Sequence, residues 1–147
     1  MNSKLVLILL SIVALIPPGQ GQANTTFQNE TYWFGKAVDL YNQGRFEESI
    51  QAYDNVTRIE PQNAQAWNNK GIDFGMLDRY DEALSAFGNA VRINSSYAEA
   101  WYNMGVIFDF MGELEDAIRA YNKATGANPN YQKAWFNKDK DQDILGY

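Results

Sequence analysis

The stretch AEAWYNMGVIFDFMGELEDAIRAYNKATGANPNY, residues 98–131, contains two segments whose apolar side chains recur at intervals of three and four residues. Trp101, Met104 and Phe108 follow this spacing in the first segment, and the second segment repeats it from Ile118 onward. Such spacing places apolar side chains on one face of an α-helix. The stretch therefore predicts a hairpin of two amphipathic helices, which we name helix A and helix B.

The same pattern returns along most of the chain. Trp33, Trp67, Trp101 and Trp135 are separated by 34 residues each time, and a fixed period of this length indicates a repeat architecture. We count each unit from three residues before its tryptophan. The units are then 30–63, 64–97 and 98–131, followed by a partial fourth unit at 132–147.

Side-chain size is conserved from unit to unit at three positions, numbered from the start of each unit. We expect the small residues of helices A and B to let the two backbones approach, and the aromatic residue of helix B to fill the space beside them. The residues are Ala37, Gly71 and Gly105 at position 8; Ser49, Ala83 and Ala117 at position 20; and Tyr53, Phe87 and Tyr121 at position 24. The tryptophans are expected to pack in the core rather than to stack on sugars.

These units resemble tetratricopeptide repeats, in which tryptophan, a small residue, an aromatic residue and a closing proline recur with a 34-residue period. Pro61 and Pro129 supply the closing proline in the first and third units. The resemblance covers residues 30–147. It implies an all-α fold, a right-handed superhelical stack of helix hairpins with about seven helices. Residues 132–147 are expected to form a capping helix that presents its charged run, 138–143, to water.

Residues 1–23 have the pattern of a secretory signal peptide. Lys4 precedes the apolar run 5–16, which Pro17 and Pro18 terminate. Twelve helical residues rise about 18 Å, well short of a hydrocarbon core of roughly 30 Å. A permanent membrane span is therefore a poor match for this run.

We expect cleavage after Gly21 or Ala23, with residues 24–29 left as a polar linker. Retention as an N-terminal membrane anchor is the alternative, and only then would the protein contact a membrane. Either outcome predicts a secreted or cell-envelope protein. Four N-glycosylation triplets, at Asn24, Asn29, Asn55 and Asn94, support export, although polar turns rich in Asn and Thr explain them equally well.

Composition argues against several classes of function. The net charge of −6 has the wrong sign for binding nucleic acid, and cysteine and histidine are both absent. No cofactor, metal site or enzymatic activity is predicted. The run Asp139-x-Asp141-x-Asp143 resembles the start of a calcium loop but lacks the required Gly and Glu. The acidic pairs that recur in every unit are expected to favour the N-terminal dipole of helix B. They are Glu47-Glu48, Asp81-Glu82 and Glu115-Asp116.

The resemblance implies that the concave surface is lined by helix A positions 2, 5, 6, 9, 12 and 13. Position 6 holds Asn69, Asn103 and Asn137, whose amides can donate and accept hydrogen bonds along the backbone of an extended peptide. The alternative is that Asn is simply the consensus residue there. The other candidate groove residues are largely apolar: Phe34, Val38, Tyr41, Asn68, Ile72, Met76, Tyr102, Val106 and Phe110.

Chaperone-binding members of the family clamp a terminal carboxylate with basic and Asn side chains in these columns. In this chain, the apolar residues Phe34 and Val38 stand in these columns of the first unit, and Glu99 places a negative charge in the third unit. We therefore predict a protein or peptide partner with apolar or aromatic side chains, held by a non-enzymatic scaffold. A glycan-binding module is the alternative, and an accessory subunit of a larger exported complex is a third interpretation.

Overall fold

In a computed structural model, residues 20–146 are described, with side chains from Asn29 onward, and they form seven α-helices and no β-strand. Residues 1–19, which carry most of the predicted signal segment, lie outside the described part of the chain. The helices are α1 (Gln20–Asn42), α2 (Phe46–Ile59), α3 (Ala64–Met76), α4 (Tyr80–Ile93), α5 (Ala98–Met111), α6 (Leu114–Ala127) and α7 (Gln132–Leu145).

The helices pack as a linear stack of hairpins. Each helix contacts the next one along the chain, and α3 also touches α5 across the stack. Helices α1, α3, α5 and α7 correspond to helix A of the four units, and α2, α4 and α6 to helix B. The predicted all-α repeat stack of about seven helices is confirmed.

Helix α1 begins at Gln20, ten residues before the first unit. It therefore runs through residues 24–29, the segment that the sequence analysis treats as a polar linker. None of the seven helices between residues 20 and 146 has the length and apolar character needed to cross a membrane.

The corner inside each hairpin uses a residue with left-handed backbone. Gly44 and Gly112 have φ values of 72° and 77°, and Asp78 takes the same place in the second unit with φ of 57°. The corners share one hydrogen bond: the N–H of the residue after the left-handed one donates to a carbonyl in the last turn of helix A, as from Arg79 to Phe74 at 2.9 Å. This arrangement satisfies a carbonyl that the helix end would otherwise leave unpaired.

Close packing inside the hairpins requires the small residues of helix A. A Cβ atom added to Gly71 would lie 2.6 Å from Cε1 of Phe87, and one added to Gly105 would lie 2.4 Å from Cε1 of Tyr121. In the first unit, Ser49 donates a hydrogen bond to the carbonyl of Ala37 at 2.9 Å. The position-24 rings thus pack directly on helix A, and Tyr53, Phe87 and Tyr121 are all fully buried.

Three of the tryptophans form hydrogen bonds to the turns between units. The indole N–H groups of Trp67, Trp101 and Trp135 donate to the carbonyls of the residues six positions earlier, at 3.1, 3.0 and 2.9 Å. Trp67 and Trp101 also pack against the buried core clusters. Trp135 is 42% exposed because no described unit follows it.

The charges of the helices fall largely where the repeat predicts. The three acidic pairs lie in the first turns of α2, α4 and α6, as expected. One expectation for the capping helix is wrong: Asp141, within the run 138–143, is 0% exposed. Helical periodicity explains the error, because Asp141 occupies position 10 of its unit and this position faces the preceding hairpin.

Candidate functional site

Two recesses open between the helix A side chains of successive units. The first-junction recess, between units one and two, has a volume of about 250 Å³, and the second-junction recess, between units two and three, has about 360 Å³. Val38, Tyr41, Asn42, Tyr53, Asn69 and Ile72 line the first. Gly71, Ile72, Gly75, Met76, Asp78, Tyr80, Phe87, Asn103, Val106, Ile107 and Phe110 line the second.

Most of the predicted groove residues meet in these two recesses. Phe110 and Met76 are the most exposed of them, at 69% and 53%. Phe34 and Tyr102 line neither of these two recesses. Phe34 borders a separate recess of about 320 Å³ together with Gly35 and Gln65, and both rings also pack on the core. Phe34 meets Tyr53 edge to face at 5.6 Å between ring centroids, and Tyr102 lies 5.7 Å from Tyr121.

The predicted ladder of asparagines exists, and part of its hydrogen-bonding capacity is used inside the protein. Asn69 donates to the Tyr53 hydroxyl at 3.0 Å, and the capping-helix Asn137 donates to the Tyr121 hydroxyl at 3.2 Å. Asn103 follows Phe87, which has no hydroxyl, and donates instead to Oδ1 of Asn68 at 3.0 Å. Each amide keeps a second N–H for other partners.

Asn68 requires a correction. Its side chain is 0% exposed, so it is not part of the groove surface that the sequence analysis assigned to it. Its amide donates to Oδ1 of Asn69 at 3.3 Å and accepts from Asn103. Asn68 therefore positions the two neighbouring asparagines from beneath the groove.

The first junction holds a buried acid that the sequence analysis did not identify. Asp73 of α3 is 0% exposed, and neither of its carboxylate oxygens has a hydrogen-bond partner among the described groups. Burial raises the pKa of Asp73 to about 6, and the nearby polar hydroxyl of Ser49 opposes this rise. Burial also raises the pKa of Tyr53 to about 12.

The third junction, between unit three and α7, is similarly polar. The Tyr121 hydroxyl donates to Oδ2 of Asp109 at 2.8 Å, and Lys140 donates to the same oxygen at 3.1 Å. Asp141 lies beneath this pair, 3.1 Å from Lys140. Burial and the neighbouring Asp109 raise the pKa of Asp141, while Lys140 opposes that rise.

The second junction differs from both at the same repeat positions. Position 24 holds Phe87 instead of Tyr, and position 10 holds the buried Ile107 where Asp73 and Asp141 stand in the neighbouring junctions. Position 12 holds Gly75, which adds no side chain where the first and third units carry Tyr41 and Asp109. These substitutions give the second-junction recess its apolar walls.

Several residues of the second-junction recess were not predicted as groove residues, because they lie outside the predicted groove columns. Asp78, Tyr80 and Phe87 all line the second-junction recess. The available signal was departure from the repeat: aspartate in place of a corner glycine at position 15, and phenylalanine in place of tyrosine at position 24.

The predicted glycosylation sites have different surroundings. Asn94 is exposed in the turn after α4, whereas Asn55 lies within α2, where its side chain donates to the Gln51 carbonyl at 3.1 Å. Asn29 is exposed on α1, and the side chain of Asn24 is outside the described part. Within residues 29–146, no group of three or more acidic, His or Cys side chains could hold a metal ion.

Family models identify the repeat directly. The tetratricopeptide repeat model TPR_1 matches residues 98–131, and the TPR repeat model TPR_11 matches residues 39–72 and 77–108. The chain belongs to the tetratricopeptide repeat (TPR) family. No curated protein matches the sequence of this TPR protein.

Solved structures share this fold at low sequence identity. The first TPR of Spaghetti (RPAP3), bound to the HSP90 peptide SRMEEVD, superposes with a TM-score of 0.77 at 24% identity, covering 82% of this chain and 95% of that one. The second TPR domain of human RPAP3, in complex with the HSP70 peptide SGPTIEEVD, gives 0.75 at 19% identity, covering 80% and 98%. MamA gives 0.76 at 24% identity, covering 80% and 69%.

Proposed function

We propose that this TPR protein is a non-enzymatic scaffold that binds an extended segment of a partner protein in the groove formed by helices α1, α3 and α5. The observation that carries the proposal is the pair of recesses on successive helix A surfaces. The exposed apolar side chains of Met76 and Phe110 line the second of them. Exposed apolar surface of this kind marks interaction sites.

Two further observations support a peptide as the ligand. The half-buried amides of Asn69 and Asn103 lie one unit apart along the groove, where both can reach the backbone of an extended chain. Two structurally similar TPR domains were solved with bound peptides. Among the aromatic side chains that a glycan site would need, Tyr102 packs against Tyr121 and Tyr131 instead of standing free.

The groove can be tested with a random peptide library displayed on phage and selected on the immobilised full chain. Met76→Ser combined with Phe110→Ser should weaken the selected peptides by about tenfold or more, because both side chains lose apolar contact area. Tyr32→Ser removes an aromatic ring that is 59% exposed and lies outside the groove columns, and should leave binding unchanged.

Circular dichroism checks that the double variant is folded. We expect it to be, because the exposed side chains of Met76 and Phe110 contribute little to the core. Failure to select any peptide, or equal binding by the double variant and the unchanged chain, would contradict the proposal.

We also propose that the scaffold acts outside the cytoplasm, as a secreted or cell-envelope protein. The support is the sequence of residues 1–23 and the glycosylation triplets. Mass spectrometry of the protein isolated from its native host should find an N-terminus at residue 22 or 24, after cleavage at Gly21 or Ala23. An intact N-terminus in a membrane fraction would support the anchor alternative, and an intact N-terminus in the cytosol would refute export.

A further inference from the structure

The second-junction recess combines open space with apolar walls. Its floor includes Phe87, and Val106 and Ile107 of α5 face Ile72 of α3 across it. Gly75 adds no side chain at a position where the neighbouring units carry larger ones, and Ile107 packs against it: a Cβ atom added to Gly75 would lie 3.1 Å from Cδ1 of Ile107. The volume of about 360 Å³ lies at the lower end of the range for ligand sites, and it suits one apolar side chain of a peptide better than a whole small molecule.

A single carboxylate stands at the rim of this recess. Asp78 is exposed and has the left-handed backbone that glycine provides in the other two units, at φ of 57°. Aspartate tolerates this conformation better than most residues but is still less favourable than glycine. The second unit therefore keeps an acidic side chain at a position where glycine would suit the backbone better.

The carboxylate of Asp78 is not neutralised by a neighbouring cation. Its one hydrogen-bond partner among the described residues is the hydroxyl of Tyr80, which donates to Oδ1 at 2.9 Å. The adjacent Arg79 points elsewhere, because it pairs with Glu82 and lies over the ring of Phe74. No described Lys or Arg lies within ion-pair distance of Asp78.

Aromatic rings complete the rim beside this charge. Tyr80 stacks on Phe110 with 6.1 Å between ring centroids and 10° between ring planes. Aromatic faces attract the guanidinium and ammonium groups of basic side chains, as the carboxylate of Asp78 does. The rim thus favours a cation, while the interior of the recess favours an apolar group.

We propose that the second-junction recess holds one apolar or aromatic side chain of the bound peptide while Asp78 pairs with a Lys or Arg of the same peptide. This inference rests on the peptide-binding function proposed above and names its ligand. In an extended peptide, side chains two positions apart project to the same side and lie roughly 7 Å apart. The recognised pattern is therefore an apolar residue and a basic residue separated by one position.

This preference is opposite in charge to that of the structural neighbours' ligands. The peptides SRMEEVD and SGPTIEEVD that those TPR domains bind both end in acidic residues. Here the rim charge is negative, and the whole chain carries a net charge of −6. Charge complementarity therefore favours a basic segment and disfavours an acidic one.

Four labelled synthetic peptides in a neutral Gly/Ser background test the inference by fluorescence anisotropy with the full chain. They carry Phe-Ser-Arg, Phe-Ser-Gln, Phe-Ser-Glu or Ser-Ser-Arg at their centre, and their ends are capped. We expect affinity to fall from Arg to Gln to Glu by about two- to fivefold at each step. Replacing the Phe anchor by Ser should cost about tenfold or more.

Two protein variants connect these preferences to named residues. Asp78→Asn, which tolerates the left-handed backbone, should reduce the affinity for the Arg peptide to that for the Gln peptide. Asp81→Asn, an equal charge change one turn away, should not. Val106→Phe should fill the recess and lower the affinity for every Phe peptide about tenfold. Ile144→Phe, at a position of the capping helix that is 63% exposed and outside both recesses, should change it less than about twofold.

The outcomes separate this inference from the function on which it rests. If phage-selected peptides bind the groove but the Phe-Ser-Arg peptide shows no preference, or no sensitivity to Asp78→Asn, the inference is overturned and the scaffold function stands. Equal or tighter binding of the Phe-Ser-Glu peptide overturns it as well. If neither selected nor synthetic peptides bind, both proposals are refuted.

Discussion

The first and second junctions of the stack are built from the same repeat positions but have opposite chemistry. In the first, Tyr53 and Asn69 form a hydrogen bond above the buried Asp73. In the second, Phe87 and Ile107 replace the tyrosine and the acid, and the recess between the units becomes larger and apolar. A repeat fold can therefore keep its geometry at every junction while the chemistry changes from one junction to the next.

The largest expected effect concerns the buried acid of the first junction. Asp73→Asn should raise the free energy of unfolding at about pH 7 by up to about 3 kcal/mol, since the folded-state pKa of about 6 is above the ordinary value of 3.8. A raised acid pKa means that the folded state binds the proton more tightly than the unfolded state does. The free-energy penalty for ionising the buried Asp73 is therefore absent below about pH 4. It grows as the pH rises through 6 and is complete at about pH 7.

Urea denaturation at about pH 4 and pH 7 measures this difference. Asp39→Asn is the matched control, because Asp39 has the same repeat position in the first unit and is exposed. That variant should change stability by less than about 0.5 kcal/mol at either pH. A stabilisation by Asp73→Asn that is equal at both pH values would show that ionisation is not its cause.

The next largest effect concerns the close contact between Gly71 and the ring of Phe87 beneath the second-junction recess. Gly71→Ala should destabilise the protein by about 1–3 kcal/mol, because the added Cβ atom overlaps the buried ring of Phe87. The first unit carries Ala37 at this position. Gly88→Ala, whose Cβ atom would meet nothing within 4 Å, should instead stabilise α4 by about 0.5–1 kcal/mol.

Thermal denaturation followed by circular dichroism distinguishes these two glycines. An unchanged melting temperature for Gly71→Ala would mean that the Phe87 ring can move aside. The second junction would then be no more tightly packed than the first.

The smallest effect comes from exchanging the hydroxyl that distinguishes the junctions. Tyr53→Phe should cost about 1 kcal/mol, because Asn69 loses its acceptor. Phe87→Tyr should place a hydroxyl near Asn103 and raise the free energy of unfolding by up to about 1 kcal/mol. It should also make the second-junction recess less apolar. Urea denaturation measures both variants. A loss of more than about 2 kcal/mol in Phe87→Tyr would indicate that the second junction has no room for the hydroxyl.

Much of this architecture could be predicted from periodicity. The tryptophans at 34-residue spacing and the helical spacing of apolar residues indicated the stack. The groove columns were predicted less completely. Asn68 stands in a groove column and is buried, because the neighbouring helix α5 covers it and Asn103 donates to it.

The residues that the prediction missed differ from their repeat equivalents by small chemical changes. Phe87 lacks one hydroxyl relative to Tyr53 and Tyr121. The sequence analysis treated all three simply as aromatic residues at position 24, so this difference was not used. Asp78 takes the place of a corner glycine and lies outside the predicted groove columns. Its role at the rim became visible once α4 placed Tyr80 against Phe110 of α5.

The sequence by itself determined the repeat and the number of helices, because the hydrophobic period is local along the chain. Only the tertiary structure decided which carboxylates are buried, which asparagines use their amides internally and which junction opens into an apolar recess. These properties depend on side chains about 34 residues apart in sequence, which meet only when consecutive hairpins stack.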